Sequence, residues 1–387
     1  MKKKRNLVFI TTILFFAFLS VFQTQSKGKV VNLHSEITKE VAQVVEQTFD
    51  VAETVNLPEN GDLEEQAVLE NFDVDEVAET ISVAQEISQE VPSRNFKFGL
   101  FTPEFPPQRN LLGWEETLGT NADIVAWYQN WGMTGSSNKL KYTCEMGKIP
   151  MITWESWNGR SRLSENDNPY PLSDISNGKF DVQIEQNLGE MMVQVREFGC
   201  EEIWIRFDHE MNTTPGEVHW YPWQGGPEDY VAAWQHVVTL SREVGFSEVR
   251  WIYNPAWGNE DAYLYYPGDD FVDMVGLTIN QFWRDQLDLR FDKLIWRTWG
   301  EMYEVNNPVI ESFGKPVVIA ESATGEGPTE TSKAEWVTEM LNYVEDSDVI
   351  IAIVWFNNYS AREFEDINFR IDSSESSLDA FQEFFQD

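Results

Sequence analysis

Only two cysteines, Cys144 and Cys200, and four histidines, His34, His209, His219 and His236, occur in 387 residues. Four dispersed imidazoles leave a histidine-rich zinc site without its ligands, and His209-Glu210 lacks the second histidine of an H-E-x-x-H pair. Basic residues are also scarce, 28 against 65 acidic ones for a net charge of -37. Such a field repels phosphate, so nucleic acid and anionic membrane surfaces are not expected partners and a neutral substrate is favoured. No G-x-G-x-x-G follows any apolar strand; Gly135 and Gly225-Gly226 are too little to support a dinucleotide fold. No cofactor and no metal are expected. The two cysteines allow one disulfide in an exported chain, provided their Cα atoms come within reach.

What is present begins with Met1-Lys2-Lys3-Lys4-Arg5 and an apolar run of sixteen residues from Leu7 to Phe22. A basic head before such a run reads as a secretory signal, residues 1–26, with an uncleaved anchor as the alternative. The expected location is outside the cell, in the medium or at the cell surface, with no stable membrane partner after signal removal. From Val31 to Glu90 sixteen acidic residues face one basic residue, Lys39. This stretch has too little apolar surface to offset its ordering entropy, so residues 27–94 read as an acidic linker or helical appendage. Residues 95–387 are enough for one α/β domain of barrel size.

Within that domain, apolar or β-branched runs recur at Phe96–Thr102, Asp123–Gln129, Pro150–Glu155, Glu202–Phe207, Val249–Asn254, Val272–Leu277, Pro316–Glu321 and Ile350–Phe356. Helical periodicity lies between them, over Gln183–Phe198 and Pro227–Val244 for example, each followed by a glycine, Gly199 or Gly245. Eight strands apolar on both faces and separated by helices predict an α/β fold of the (β/α)8 TIM-barrel class.

Barrel strands converge side chains on the rim at their carboxyl ends. Reading those ends gives Glu104; Gln129 and Asn130; Trp154, Glu155 and Trp157; Asp208, His209, Glu210 and Asn212; Asn254 and Trp257; Asn280, Gln281 and Trp283; Glu321; and Trp355 to Asn358. Glu210 and Glu321, on strands four and seven, face each other across such a rim, where a separation of about 5 to 5.5 Å suits a retaining glycosidase. Aromatic surroundings and the charge of Glu321 raise a carboxyl's pKa, which makes Glu210 the general acid and base and leaves Glu321 the nucleophile. The bland alternative for each is a strand-end ion pair, with Arg206 as the partner at hand. Glu155, Asp208 and Glu104 are weaker candidates. Sixteen tryptophans supply faces for pyranose rings, and Trp154, Trp157, Trp220, Trp223, Trp257, Trp283 and Trp355 are the candidate walls. Trp204, Trp234 and Trp251 are instead assigned to packing.

Arg206-Phe207-Asp208-His209-Glu210-Met211-Asn212, Trp220-Tyr221-Pro222-Trp223, Tyr266 to Leu277, Lys315 to Glu321, Ala352 to Asn357 and Arg370 to Ser373 together resemble glycoside hydrolase family 26, over about Phe96 to Phe385. The resemblance implies a secreted retaining endo-β-glycanase on a (β/α)8 barrel, Glu210 as acid/base, Glu321 as nucleophile, His209 beside the nucleophile and Trp355 beneath the sugar. His209, Asn212, Trp154, Glu155, Trp157, Trp220, Trp223, Trp257, Asn280, Trp283 and Trp355 form the expected substrate-binding set of a monomer. Endo-β-1,4-mannanase is the expected activity, with mixed-linkage β-1,3-1,4-glucanase or β-1,3-xylanase, or a non-catalytic polysaccharide-binding protein, as alternatives. One departure stands out: after strand six, where many members have a tyrosine that bonds the nucleophile, this chain has Asn280.

Overall fold

All eight expected strands form, and they close in sequence order into one parallel barrel. They are β1 (Lys97–Phe101), β2 (Ile124–Asn130), β3 (Ile149–Glu155), β4 (Ile203–Phe207), β5 (Val249–Tyr253), β6 (Met274–Gln281), β7 (Val317–Thr324) and β8 (Ile350–Phe356). Helices α1 (Gln108–Leu118), α2 (Asn138–Glu145), α3 (Leu172–Ser176), α4 (Asp181–Glu197), α5 (Pro227–Glu243), α6 (Trp299–Ser312) and α7 (Ser332–Glu345) lie between strands, and α8 (Glu375–Gln386) follows them. This computed structural model describes residues 94–132, 138–159, 169–212, 221–224, 226–256, 260–281, 296–360 and 367–386. The expected signal, the expected acidic segment up to Ser93, and the expected site residues Trp220, Trp257 and Trp283 lie outside them, whereas Arg94, expected as the last residue of that segment, belongs to the barrel unit. Two units divide the chain: Arg94–Leu118 with Ala122–Phe384 is the barrel, and Met1–Ser93 with Gly119–Asn121 and Phe385–Asp387 is the other.

Side chains alternate in and out along each strand. The inward positions of the lower barrel carry Ile124, Ala126, Met151, Trp204, Ile252, Met274, Val318, Ala320, Ala352 and Val354, which pack into a single apolar plug. Two residues further along, the same face turns polar: Tyr128 on β2, Thr153 on β3, Arg206 on β4 and Asn254 after β5, while β6 places Gly276 at that height and Thr278 above it. The barrel is thus a dry plug with a polar layer on top, and the sequence sets the change of character at a constant height.

Strands β6 and β7 run past the ends expected from their apolar runs. Leu277 pairs with Ile319, but Thr278 pairs with Glu321, so Ala320 is the extra residue of a bulge. A bulge turns two successive residues to one side; Ala320 stays in the plug while Glu321 also enters the barrel. Pairing then continues to Gln281 and Thr324, which puts Asn280 on the strand and not in the loop after it.

Close packing fixes the polar layer. A Cβ on Gly276 would lie 2.8 Å from Ile252 Cγ2 and 2.9 Å from Asn254 Oδ1, and that oxygen holds the guanidinium of Arg206 at 3.1 Å. Gly276→Ala is expected to cost about 1–3 kcal/mol in overpacking and to lower activity by displacing Asn254. A chemical-denaturation midpoint and turnover both equal to wild type would contradict this packing.

Candidate active site

The polar layer is built on Arg206, which is only 1% exposed. Its Nε and Nη2 donate to Thr153 Oγ1 at 2.9 and 2.7 Å, its Nη1 to Asn254 Oδ1, and its Nη2 to Glu321 Oε1. Burial opposes its charge, but Glu321 and Tyr128 outweigh that and hold its pKa above the ordinary value. Tyr128 adds a second donor to the same carboxylate oxygen, its hydroxyl lying 2.5 Å from Glu321 Oε1. Glu321 is therefore a buried carboxylate gripped at one oxygen.

Glu210 reaches the site from beyond the end of β4. Its φ of 54° and the 40° of Asp208 are left-handed values for non-glycine residues, a strain that persists only where surroundings enforce it. The enforcement is visible. Asp208 accepts from the Ser156 amide and hydroxyl at 2.7 and 2.6 Å. The Glu210 amide donates to the Asn254 carbonyl at 2.7 Å, and its carbonyl accepts from Gln224 at 3.1 Å. Burial first, and then the charge of Glu321, raise the Glu210 pKa to about 7 against the opposing pull of Arg206. A carboxyl that keeps its proton beside an ion-paired one is the electrostatic division of labour that glycosidic cleavage uses.

The remaining expected site residues divide between the pocket and the packing. His209 is buried, its Nε2 3.0 Å from the Tyr221 hydroxyl and its ring in contact with Tyr128. Burial, then the charge of Arg206, push its pKa well down, so it acts as a neutral ring. Glu155 accepts from Trp157 Nε1 at 2.9 Å, and burial raises its pKa to about 7. Asn280 is half-buried on the inward face of β6. Asn212 is tied at both ends, its Nδ2 to Asp261 and its Oδ1 to the Ala256 amide, so it holds the turn after β5. Trp154, Trp223 and Trp355 are fully buried. Trp154 packs on Trp131 and Phe207. Trp223 stacks on Tyr221 and donates to the His209 carbonyl. Trp355 faces out of the barrel toward Trp336 and donates to the Phe369 carbonyl. Its neighbour Phe356 is the inward residue and stacks on Phe101 at 4.5 Å. Trp204, Trp234 and Trp251 are buried in packing, as expected. Glu104 is exposed and held by the Thr102 hydroxyl.

Sequence reasoning overlooked Tyr128. The signal for it was the alternation Ile124, Ala126, Tyr128, Asn130, which continues the inward face of β2 into the site.

The model of glycosyl hydrolase family 26 matches residues 116–297, the stretch from α1 through β6 that contains Arg206, His209 and Glu210. Endoglucanase H of Acetivibrio thermocellus is 32% identical over 307 residues, a match covering 74% of this chain and 30% of that protein. Over residues 116–297 the chain is similar to glycosyl hydrolase family 26. It spans about 30% of the length of that relative. Among solved structures, a family 26 β-mannanase from Bacteroides ovatus aligns with a TM-score of 0.54 at 18% identity, covering 75% of this chain and 88% of its own. The catalytic domain of a family 26 endo-β-1,4-mannanase from Bacillus sp. JAMB-750 gives 0.55 at 16% identity, covering 76% and 86%. At those identities the family 26 structures bear on the fold alone, and they agree with the closed eight-stranded barrel.

The raised Glu210 pKa has a signed consequence. Between its ordinary 4.5 and about 7 the folded chain keeps a proton that the unfolded chain has released, so this group's contribution to stability is lost as pH rises through that window. Glu210→Gln cannot release a proton there. The variant is expected to gain stability relative to wild type between pH 4 and pH 8, measured as the difference in thermal midpoint. A difference that stays constant across that range would refute the proton assignment.

Proposed function

We propose that the chain is a retaining endo-β-glycanase acting on a neutral polysaccharide. The observation that carries this reading is the single-oxygen grip on Glu321, which leaves its Oε2 with no hydrogen bond among the described residues, next to a Glu210 that holds its proton to about pH 7. In the first step the Oε2 electron pair forms a bond to the anomeric carbon while the bond from that carbon to the glycosidic oxygen breaks. The Glu210 proton passes to the departing oxygen. In the second step Glu210 takes a proton from water, water oxygen bonds to the anomeric carbon, and the ester electron pair returns to Glu321, with the configuration retained.

For the substrate, the specific observation is the 32% likeness to a protein named endoglucanase, which favours a glucan; mixed-linkage β-1,3-1,4-glucan, the alternative drawn from the sequence, is the glucan proposed. The β-1,4-mannan expected from the family resemblance is the second reading. Reducing-sugar release from barley glucan, carboxymethylcellulose, mannan, glucomannan and β-1,3-xylan separates them, and proton NMR of the first product should show the β anomer. Glu321→Ala should lose on the order of a thousandfold or more in turnover. An inert wild type on the whole panel, or an initial α anomer, would overturn the proposal.

Export belongs to the same proposal and is supported by the bridge between Cys144 and Cys200, 56 residues apart, because disulfides persist in oxidising compartments. It links the end of α2 to the turn before β4. Closing a loop of that length stabilises a fold by up to about 4 kcal/mol on the chain-entropy account. Reduction is therefore expected to lower the thermal midpoint by several degrees. Alkylation of both thiols in unreduced, denatured protein would count against the bridge.

A further inference from the structure

We propose that Tyr128 is the positioning residue of the nucleophile: from strand β2 its hydroxyl holds Glu321 Oε1, and so makes Oε2 the attacking atom and eases its later release. The inference rests on the reading of Glu321 as nucleophile and adds a residue from a part of the barrel that the acid pair does not use.

The geometry restricts what Tyr128 can do. Its hydroxyl sits 2.5 Å from Glu321 Oε1, the oxygen that also receives Arg206 Nη2. Two donors on one oxygen fix the plane of the carboxylate and leave the other oxygen's lone pairs free. The phenol ring is itself held on several sides. Phe101 meets it edge-to-face at 5.5 Å, the Arg206 guanidinium lies 5.8 Å from its centroid, and the His209 ring lies at 5.8 Å. Burial and the charge of Glu321 push its pKa well above the ordinary 10, so it remains a neutral donor and never a base. Asn280, although on an inward position of β6, leaves its Oδ1 without a partner and makes no hydrogen bond to Glu321 among the described residues. The second donor on the nucleophile therefore comes from β2.

The bond acts differently in the two steps. When Oε2 bonds to the anomeric carbon, Glu321 changes from a carboxylate to a neutral ester, and the phenol then faces a carbonyl oxygen. When water displaces the ester, the electron pair returns to Glu321 and the charge spreads again onto Oε1, where Tyr128 and Arg206 receive it. The proton stays on the phenol throughout. Losing this donor therefore weakens the leaving group of the second step, an effect that a purely structural tyrosine would not have.

The test uses 2,4-dinitrophenyl β-cellobioside and β-mannobioside, whose leaving group departs without acid help and makes release from Glu321 the slow step. Hydrolysis of either glycoside by wild-type enzyme is the entry condition; an inert wild type would contradict the proposed function and leave the Tyr128 inference out of reach of blame. With an active wild type, Tyr128→Phe is expected to lower kcat about ten- to a hundredfold, the usual range for a hydrogen bond to a charged group. KM should fall with it, and intact mass spectrometry should show the protein carrying one disaccharide unit at steady state. Unchanged kcat and KM, or a lower kcat with KM unchanged and no covalent species, would overturn the proposal. Should Tyr128→Phe lose its cooperative melt, 2,3-difluorotyrosine at position 128 keeps the ring and hydroxyl and strengthens the donor. There kcat on the aryl glycoside is expected to change, and a kcat equal to wild type would sink the idea.

Discussion

The buried pair of Arg206 and Glu321 is the constraint on which the site depends. A guanidinium in a barrel interior is costly unless its donors are all met and an anion faces it. Here Thr153, Asn254 and Glu321 give each of its three nitrogens a partner. Meeting them takes a residue from each of four strand ends, so the pair fixes the relative height of β3, β4, β5 and β7. Gly276 is required because Asn254 occupies the space of its missing side chain, and the bulge at Ala320 is required because Glu321 would otherwise point outward.

The same cation sets two acids in different charge states. Two carboxyls in one buried site cannot easily both ionise. Arg206 is bonded to Glu321 and only near Glu210, so the proton is retained on Glu210. Burial, and then the charge of Arg206, keep His209 neutral, so that ring, packed on Tyr128 and hydrogen-bonded to Tyr221, is not a second cation. The bland reading of a strand-end glutamate paired with Arg206 and the functional reading thus describe one object: under the proposed function, the ion pair is what holds the nucleophile.

The architecture was legible because it is written in apolar runs, and eight such runs gave eight strands. Their limits were less legible. The apolar run of β6 ends at Leu277, yet pairing continues to Gln281, since backbone bonds to β7 beyond the bulge need no apolar side chains. Parity was the other hidden quantity. Along Trp154-Glu155 and Trp355-Phe356 one of each pair points in and the other out, and composition cannot say which. A shift of one residue exchanges the faces; the register places Glu155 and Phe356 inward, and sends Trp154 and Trp355 to the packing between barrel and helices. Tyr128 escaped notice for a related reason: it lies one step before the polar residues that mark the end of β2.

Net charge and site charge turn out to be separate matters. The chain carries -37, but among the described residues of the pocket the ion pair is internally neutral, and below pH 7 Glu210 and Glu155 both hold their protons. His209 is neutral and burial keeps Asp208, Tyr128 and Tyr221 from ionising readily. A polysaccharide without charge would meet a pocket whose attraction comes from oriented hydrogen bonds and ring faces, with no field to overcome on entry. The acidic excess of the whole chain therefore repels polyanions, while the cation of the pocket, Arg206, is already matched by Glu321.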